Sequence, residues 1–231
     1  MDRRTFLAAT AGTTLAVGVA GCSGFREISI PEELEGTDAD RQLPVPTLGD
    51  GDVTIEVYED TGCQGCREFQ ADVFPVLEGE LLDTGEATYQ HRDFVVGAAD
   101  ESAEMANAAR AVQHETHTDG DPNGDFFEYK AAVMRADDWS DDRLGRMAQS
   151  FDILPERITS ALEDETFYPT LVADWERGEA AGVEGTPTVV IEDELIEDPF
   201  DIDEIRDRVS ESSEVDPTTT DNAIESFRDA R

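Results

Sequence analysis

An α/β domain with a helical block set inside it is the fold that this chain predicts, and three stretches predict it. Residues 53–58 (Val-Thr-Ile-Glu-Val-Tyr) are β-branched and aromatic enough for a strand, and the apolar residues after them fall at helical spacing. Residues 98–166 are helical in pattern throughout. Residues 167–211 then return to a helix, a strand of the buried type and a closing helix.

Ahead of the domain, residues 1–21 read as a targeting segment. Arg3-Arg4-Thr5-Phe6-Leu7 is a twin-arginine pair leading into an apolar run from Phe6 to Ala20, too short to span a bilayer as a stable helix. The run ends in Val19-Ala20-Gly21-Cys22, which resembles a lipobox with Cys22 as the residue lipidated after cleavage. The alternative is an ordinary export signal cut near the same small residues, with Cys22 left as a spare thiol. Residues 22–50 are polar and broken by Pro31, Pro44 and Pro46, as expected of an acidic tether from the membrane to the domain.

Residues 51–97 form the first part of the domain. Phe69, Val73, Val76 and Leu77, continuing to Leu81 and Leu82, make the apolar stripe of a helix; Thr84-Gly85 breaks it. Residues 87–96 read as a second strand and complete a βαβ unit with a right-handed crossover. In the insertion, 98–166, the alanine-rich stretch 98–116 carries Met105, Ala109 and Val112 on one face, and 118–124 is a turn cluster. Asp125 caps a helix with Phe126, Phe127, Val133 and Met134; Ser140 starts another with Leu144, Met147 and Phe151 inward; Pro155 opens a third, through Leu162. Residues 167–181 are a long helix, and Pro187 precedes a buried-type strand at 188–192, where a cis peptide is expected. Leu195-Ile196 suggests an edge strand, Ile202, Ile205 and Val209 a closing helix, and 212–231 a polar tail with Ile224 and Phe227 at helical spacing.

Charge narrows the partners. The 231 residues hold 17 Lys and Arg against 55 Asp and Glu, a formal net charge of −38, and Lys130 is the only lysine. Such a surface repels nucleic-acid phosphates and anionic headgroups. With 39% hydrophobic residues at periodic positions, the acidity points to a folded protein working in concentrated salt, in a haloarchaeal host, rather than to disorder. At ~1 M salt the Debye length is about 3 Å, so self-repulsion is screened.

The chemistry centres on Cys63-Gln64-Gly65-Cys66, where the first strand turns into a helix. First-turn N–H groups stabilise an anion, and a thiolate at Cys63 is the reactive form. With Cys22 given to lipid, Cys63 and Cys66 are a lone pair in an oxidising compartment. Their disulfide closes too small a loop to stabilise much, so chemistry is the better reason for it. A competing reading takes Cys63, Cys66, His114 and His117 as two sulfurs and two nitrogens for a metal, although the gap between the pairs is far longer than in zinc fingers. Another takes the chain as a tethered binding module with structural cysteines. His91 is given no role, and no cofactor is implied.

Several independent parts then resemble the thioredoxin-fold thiol oxidoreductases of the DsbA type, over residues 45–209. They are Cys63-Gln64-Gly65-Cys66, the strand end Arg92-Asp93-Phe94, the helical insertion, and Gly182-Val183-Glu184-Gly185-Thr186-Pro187-Thr188. The resemblance implies a thioredoxin-like fold with an inserted helical domain and a protein-disulfide oxidoreductase. It makes Cys63 the exposed nucleophile, Cys66 the resolving thiol and Thr186–Pro187 a cis bond, with Pro187 facing Cys63 and the Thr186 backbone pairing with an extended substrate. The partners it implies are extracytoplasmic proteins with thiols or disulfides and a redox partner that resets the pair. Two departures stand out. Gln64-Gly65 lacks the histidine or proline often found between the cysteines. Val57 stands where many relatives carry a buried acid; Glu56 points to the other face of the strand. Glu59 and Asp60, close in sequence, are expected to raise the Cys63 pKa unless salt screens them.

Overall fold

The computed structural model describes residues 29–214. Cys22, the twin-arginine segment, Ile224 and Phe227 lie outside the described residues.

The strands are β1 (Thr47–Leu48), β2 (Val53–Glu59), β3 (Ala87–Asp93), β4 (Thr188–Ile191) and β5 (Glu194–Leu195), in the sheet order β1-β3-β2-β4-β5. β2 and β3 are parallel, with Val57 opposite His91 and Glu59 opposite Asp93, and the other neighbours are antiparallel. Between β2 and β3 run α1 (Gln64–Asp72), α2 (Phe74–Leu77) and a π-helical turn, Glu78–Leu82. The βαβ unit is therefore present. Its helical path is divided because Pro75 removes a backbone donor.

Period-two burial decides what each strand offers to which layer. Val53, Ile55 and Val57 of β2, with Ala87 and Tyr89 of β3, face α1 and α2 together with Ile205 and Val209 of α8 (Ile202–Glu214). The same face continues at the carboxyl ends of β2 and β3 as Glu59, His91 and Asp93, all buried. The hydrophobic alternation thus turns polar where the chain leaves the sheet. On the opposite face Tyr58 and Val190 pack with Phe94 and Trp175.

The insertion holds α3 (Ser102–Thr116), α4 (Phe126–Met134), α5 (Asp141–Met147) and α6 (Pro155–Glu163); α7 (Tyr168–Ala180) leads back to the sheet. Met105, Ala109, Val112, Phe126, Val133, Leu144, Ile158 and Leu162 meet in a core of their own, as their spacing predicts. Among the described residues no helix is long and apolar enough to cross a membrane.

Part of the expected tether belongs to the body. Leu34 is buried against Val95, Ala103, Ala106 and Leu171, and Leu43 joins the core of the insertion. Leu48 and Thr47 form the edge strand, whose Thr47 N–H donates to Asn123 Oδ1 (2.8 Å) and whose carbonyl accepts from Asn123 Nδ2 (2.7 Å). These leucines follow no helical or strand period, so their burial has no signature in the sequence.

Buried charge joins the sheet to the helices. Asp174 on α7 is fully buried and receives Arg110 (2.8 Å) from α3, Arg92 (3.3 Å) from β3 and Arg41 (2.5 Å) from the wrapped segment. Arg92 also pairs with Glu56 (2.5 Å), and Arg110 with Asp93 (2.6 Å). Removing one member strands the others without water. Asp174→Ala is expected to lower stability by about 3–5 kcal/mol in urea unfolding; a loss below ~1 kcal/mol would mean that the guanidinium groups find other partners.

Candidate active site

β2 ends at Glu59, and Asp60-Thr61-Gly62 turns the chain into α1. The Asp60 carboxylate is buried and accepts from the Gly62 N–H (2.8 Å), the Ser102 hydroxyl (2.7 Å), the Val96 N–H (2.9 Å) and the Ala98 N–H (3.1 Å). Its carbonyl accepts from the Cys63 N–H at 3.0 Å. The turn is thereby bolted to the start of α3. Gly62 is required there, since a Cβ would sit 2.5 Å from Ser102 Oγ.

Cys63 is the N-cap of α1, in extended conformation, and its sulfur accepts from the Cys66 N–H at 3.4 Å. Both thiols are reduced; Cys63 is half-buried and Cys66 buried. The Cys66 thiol and the backbone N–H groups of Cys66 and Gly65 lower the Cys63 pKa against the effect of burial, to about 6. The expected rise from Glu59 and Asp60 is therefore corrected. Asp60 spends its oxygens on hydrogen-bond donors, and the charge of Glu59 acts on the other sulfur. Burial pushes the Cys66 thiol far up, the hydrogen bond with Cys63 adds to it, and the Glu59 carboxylate adds further.

The Thr186–Pro187 bond is cis, as expected. The Thr186 carbonyl lies 3.4 Å from Cys63 Sγ. Pro187 stands against the turn of the helix, its Cδ 3.2 Å from where a Cβ on Gly65 would be, which explains a small residue between the cysteines. Cys63, Cys66, Thr186 and Pro187 are thus one cluster, half-open to solvent on the Cys63 side.

His114 and His117 are elsewhere. Ser102, at the first turn of α3, touches the Asp60 turn; His114 is twelve residues along the same helix, about 18 Å at 1.5 Å per residue. His117 Nδ1 lies 3.0 Å from the His114 carbonyl, and the His114 ring packs on Phe167. The four-residue metal arrangement is not assembled. Among the described residues no group of three or more His, Cys, Asp or Glu side chains is placed to hold a metal ion.

Lys130 and His91, which the sequence leaves without a role, stand around Glu59 beneath Cys66. Glu59 accepts from Gln70 Nε2 (3.0 and 3.1 Å), one turn beyond Cys66, and from the Tyr89 hydroxyl (3.2 Å). Lys130, from α4, pairs with the same carboxylate and is 2% exposed. His91 Nδ1 lies 3.1 Å from Glu59 and from Lys130 Nζ, and His91 Nε2 3.0 Å from Asp93. Burial would raise the Glu59 pKa, but Lys130 and His91 hold it at about 2. The buried acid missing at Val57 is therefore supplied by Glu59, further along the same face of β2. One signal could have found it: the only lysine of a chain with net charge −38 falls among the apolar residues of a helix.

A thiol held near pKa 6 beside a buried, protonated thiol and a cis-proline is the apparatus of disulfide exchange, and with this fold it defines a thioredoxin-like thiol:disulfide oxidoreductase. The family model described as Thioredoxin matches residues 48–211, and the chain belongs to that family. It is similar to Disulfide bond formation protein D of Bacillus subtilis (strain 168), at 25% identity over 77% of this chain and 80% of that protein. The crystal structure of oxidised BdbD from Bacillus subtilis superposes with TM-score 0.63 and 26% identity, covering 75% of this chain and 97% of that one. Chlamydia trachomatis DsbA gives TM-score 0.64 and 26% identity over 75% and 93% of the two chains.

The Cys66 side chain is the largest influence on its neighbour, and a hydrogen bond to a charged group is worth about 1.5–3 kcal/mol. Thiolate absorbance should titrate Cys63 near pH 6 in the reduced chain, and Cys66→Ala should move that transition up by about one unit. An unmoved transition would mean that the backbone N–H groups hold the anion alone.

Proposed function

We propose that the chain is an exported, membrane-anchored enzyme that introduces disulfides into other extracytoplasmic proteins, with Cys63 as nucleophile and Cys66 as resolving thiol. The observation that carries this is the Cys63 sulfur, half-exposed at a helix start with its pKa lowered to about 6. Stabilising the thiolate stabilises the reduced pair, which makes the disulfide the better oxidant. In the forward direction a substrate thiolate attacks Cys63 of the oxidised pair and the Cys66 sulfur leaves. A second substrate thiolate then attacks the substrate sulfur of the mixed disulfide, releasing oxidised substrate and the Cys63 thiolate. An unidentified redox partner removes the two electrons gained. The half-buried Thr186 backbone beside Cys63 offers an extended substrate a strand to pair with, and Pro187 covers the sulfurs with a side chain that binds no metal.

Export rests on the twin-arginine segment and anchoring on a lipid at Cys22. The formal charge of −38 supports work in concentrated salt outside a haloarchaeal cell and leaves nucleic acid out of the list of partners. The names of the relatives, a disulfide bond formation protein and a DsbA, agree with an oxidising direction.

With Cys66→Ala in the host, substrate proteins should accumulate as mixed disulfides on Cys63 and dissolve on reduction; their absence, or trapping through Cys66 in Cys63→Ala instead, overturns the roles. A redox titration of the domain should place its potential above that of thioredoxin, about −270 mV, and a value at or below it identifies a reductase.

A further inference from the structure

The helix that carries the two cysteines also carries Arg67, four residues after Cys63 and therefore on the same face, with about 5–6 Å between the two Cβ atoms. The Arg67 N–H closes the first turn on the Cys63 carbonyl (3.2 Å), and Arg67 Nη2 donates to the Gly62 carbonyl (3.4 Å). Its Cζ lies 4.8 Å from the centre of the Trp139 ring, and the Trp139 Nε1–H is fixed on the Val133 carbonyl (3.1 Å) near the end of α4. A guanidinium held over an aromatic face is fixed in direction, while its outer N–H groups stay open to a carboxylate. Arg67 Nε is buried without a hydrogen-bond partner among the described residues, so the chain itself does not use the whole of this cation.

Charge makes the position unusual. In a chain of formal net charge −38, Arg67, Arg135 and Arg143 are the arginines outside any ion pair among the described residues. Arg67 and Arg135 line one groove of about 590 Å³ between the exposed face of α1 and α2 and the helix α4, and Phe74, Phe127 and Met134 supply its apolar surface. The groove is polarised along its length. Trp139 ties Arg67 to the C-terminal end of α4, where Met134 and Arg135 stand. The acids of the lining lie away from that end: Asp121 precedes α4, Glu128 is in its first turn and Glu78 follows α2. The basic end is the one beside Cys63.

We infer that Arg67, oriented by Trp139 and assisted by Arg135, is a specificity-determining residue that binds the carboxylate of an Asp or Glu flanking the reacting cysteine of a substrate protein. This rests on the disulfide-exchange reading and names its substrate class: segments that carry acidic residues beside the cysteine. A substrate cysteine bonded to Cys63 sets out its neighbours at about 3.3 Å per residue, so an acidic side chain one to three positions away reaches a guanidinium one helical turn along. Apolar residues further along the segment meet Phe74 and Phe127. Elsewhere the acidic surface repels such a segment. In ~1 M salt that repulsion is screened within about 3 Å, and only a cation in direct contact still discriminates. Arg67 is half-buried against its ring and is screened less than an exposed side chain. Arg135 is exposed and contributes less. Trp139 and Arg135 belong to the insertion, which thereby takes part in choosing the substrate.

The test is single-turnover reduction of the full oxidised chain, in ~1 M salt, by cysteine peptides that differ only in Asp or Asn at one position on either side of the cysteine. The readout is the Asp-to-Asn ratio of second-order rate constants, compared between wild type and Arg67→Gln. Both proteins meet the same peptides, so the effect of Asp on the peptide's own thiol cancels. At one or more positions the ratio should fall about tenfold on Arg67→Gln. Arg67→Lys keeps the charge without the planar fork and should retain part of the preference. Arg67→Glu should instead favour a peptide with Lys at that position over one with Asn. An arginine with a merely structural role would slow all peptides equally and leave the ratios of the three variants at the wild-type values, and that result overturns the inference. A wild-type chain inert to every peptide overturns the exchange reading as well; a reactive one with unmoved ratios overturns this inference alone.

Discussion

The structure depends on one asymmetry: two sulfurs, two residues apart in the chain, sit in opposite electrical surroundings. Cys63 caps a helix and receives N–H groups; Cys66, one turn in, is buried over a carboxylate. A helix start is enough to make the first difference, because its free N–H groups all point the same way. The second difference needs the whole protein. Glu59 remains ionised in the interior only because Lys130 and His91 face it, and these come from an inserted helix and from the neighbouring strand. An isolated buried carboxylate would take up a proton instead.

The same logic governs how this very acidic chain places its few cations. Of 17 basic residues, Lys130, Arg110, Arg92, Arg41 and Arg177 all serve the buried or half-buried acids Glu59, Asp93, Asp174 and Glu56. The surface keeps its negative charge, while the interior is close to neutral. Salt screens the surface but reaches the interior far less. The buried pairs should therefore keep their strength in concentrated salt, where an exposed pair such as Arg146–Asp142 contributes little.

Residues close in sequence or regular in period were legible. The strand-to-helix turn at Cys63, the apolar faces of Met105, Ala109 and Val112, and the cis bond before Pro187 follow from local rules, and the structure places them as expected. What was not legible is set by contacts distant in sequence. Glu59 and Lys130 are 71 residues apart, and His91 reads as an ordinary strand residue until Asp93 and Lys130 close on it. The wrapped segment failed for the same reason: Leu34, Leu43 and Leu48 belong to three different layers, so no window around them shows a pattern.

An insertion placed in such a domain could be a separate cap, resting on the sheet through an apolar contact. Here it is not. Asp60 holds the Cys63 turn to the first turn of α3, and Asp174 of α7 gathers arginines from α3, β3 and the wrapped segment. Lys130 of α4 completes the charge beneath Cys66. The first and the last of these contacts reach the redox centre, one at the Cys63 turn and the other beneath Cys66, so a displacement of the helical block would disturb both sulfurs. The thioredoxin-like part carries the cysteines, but the electrical environment that separates their chemistry is assembled by both parts of the chain.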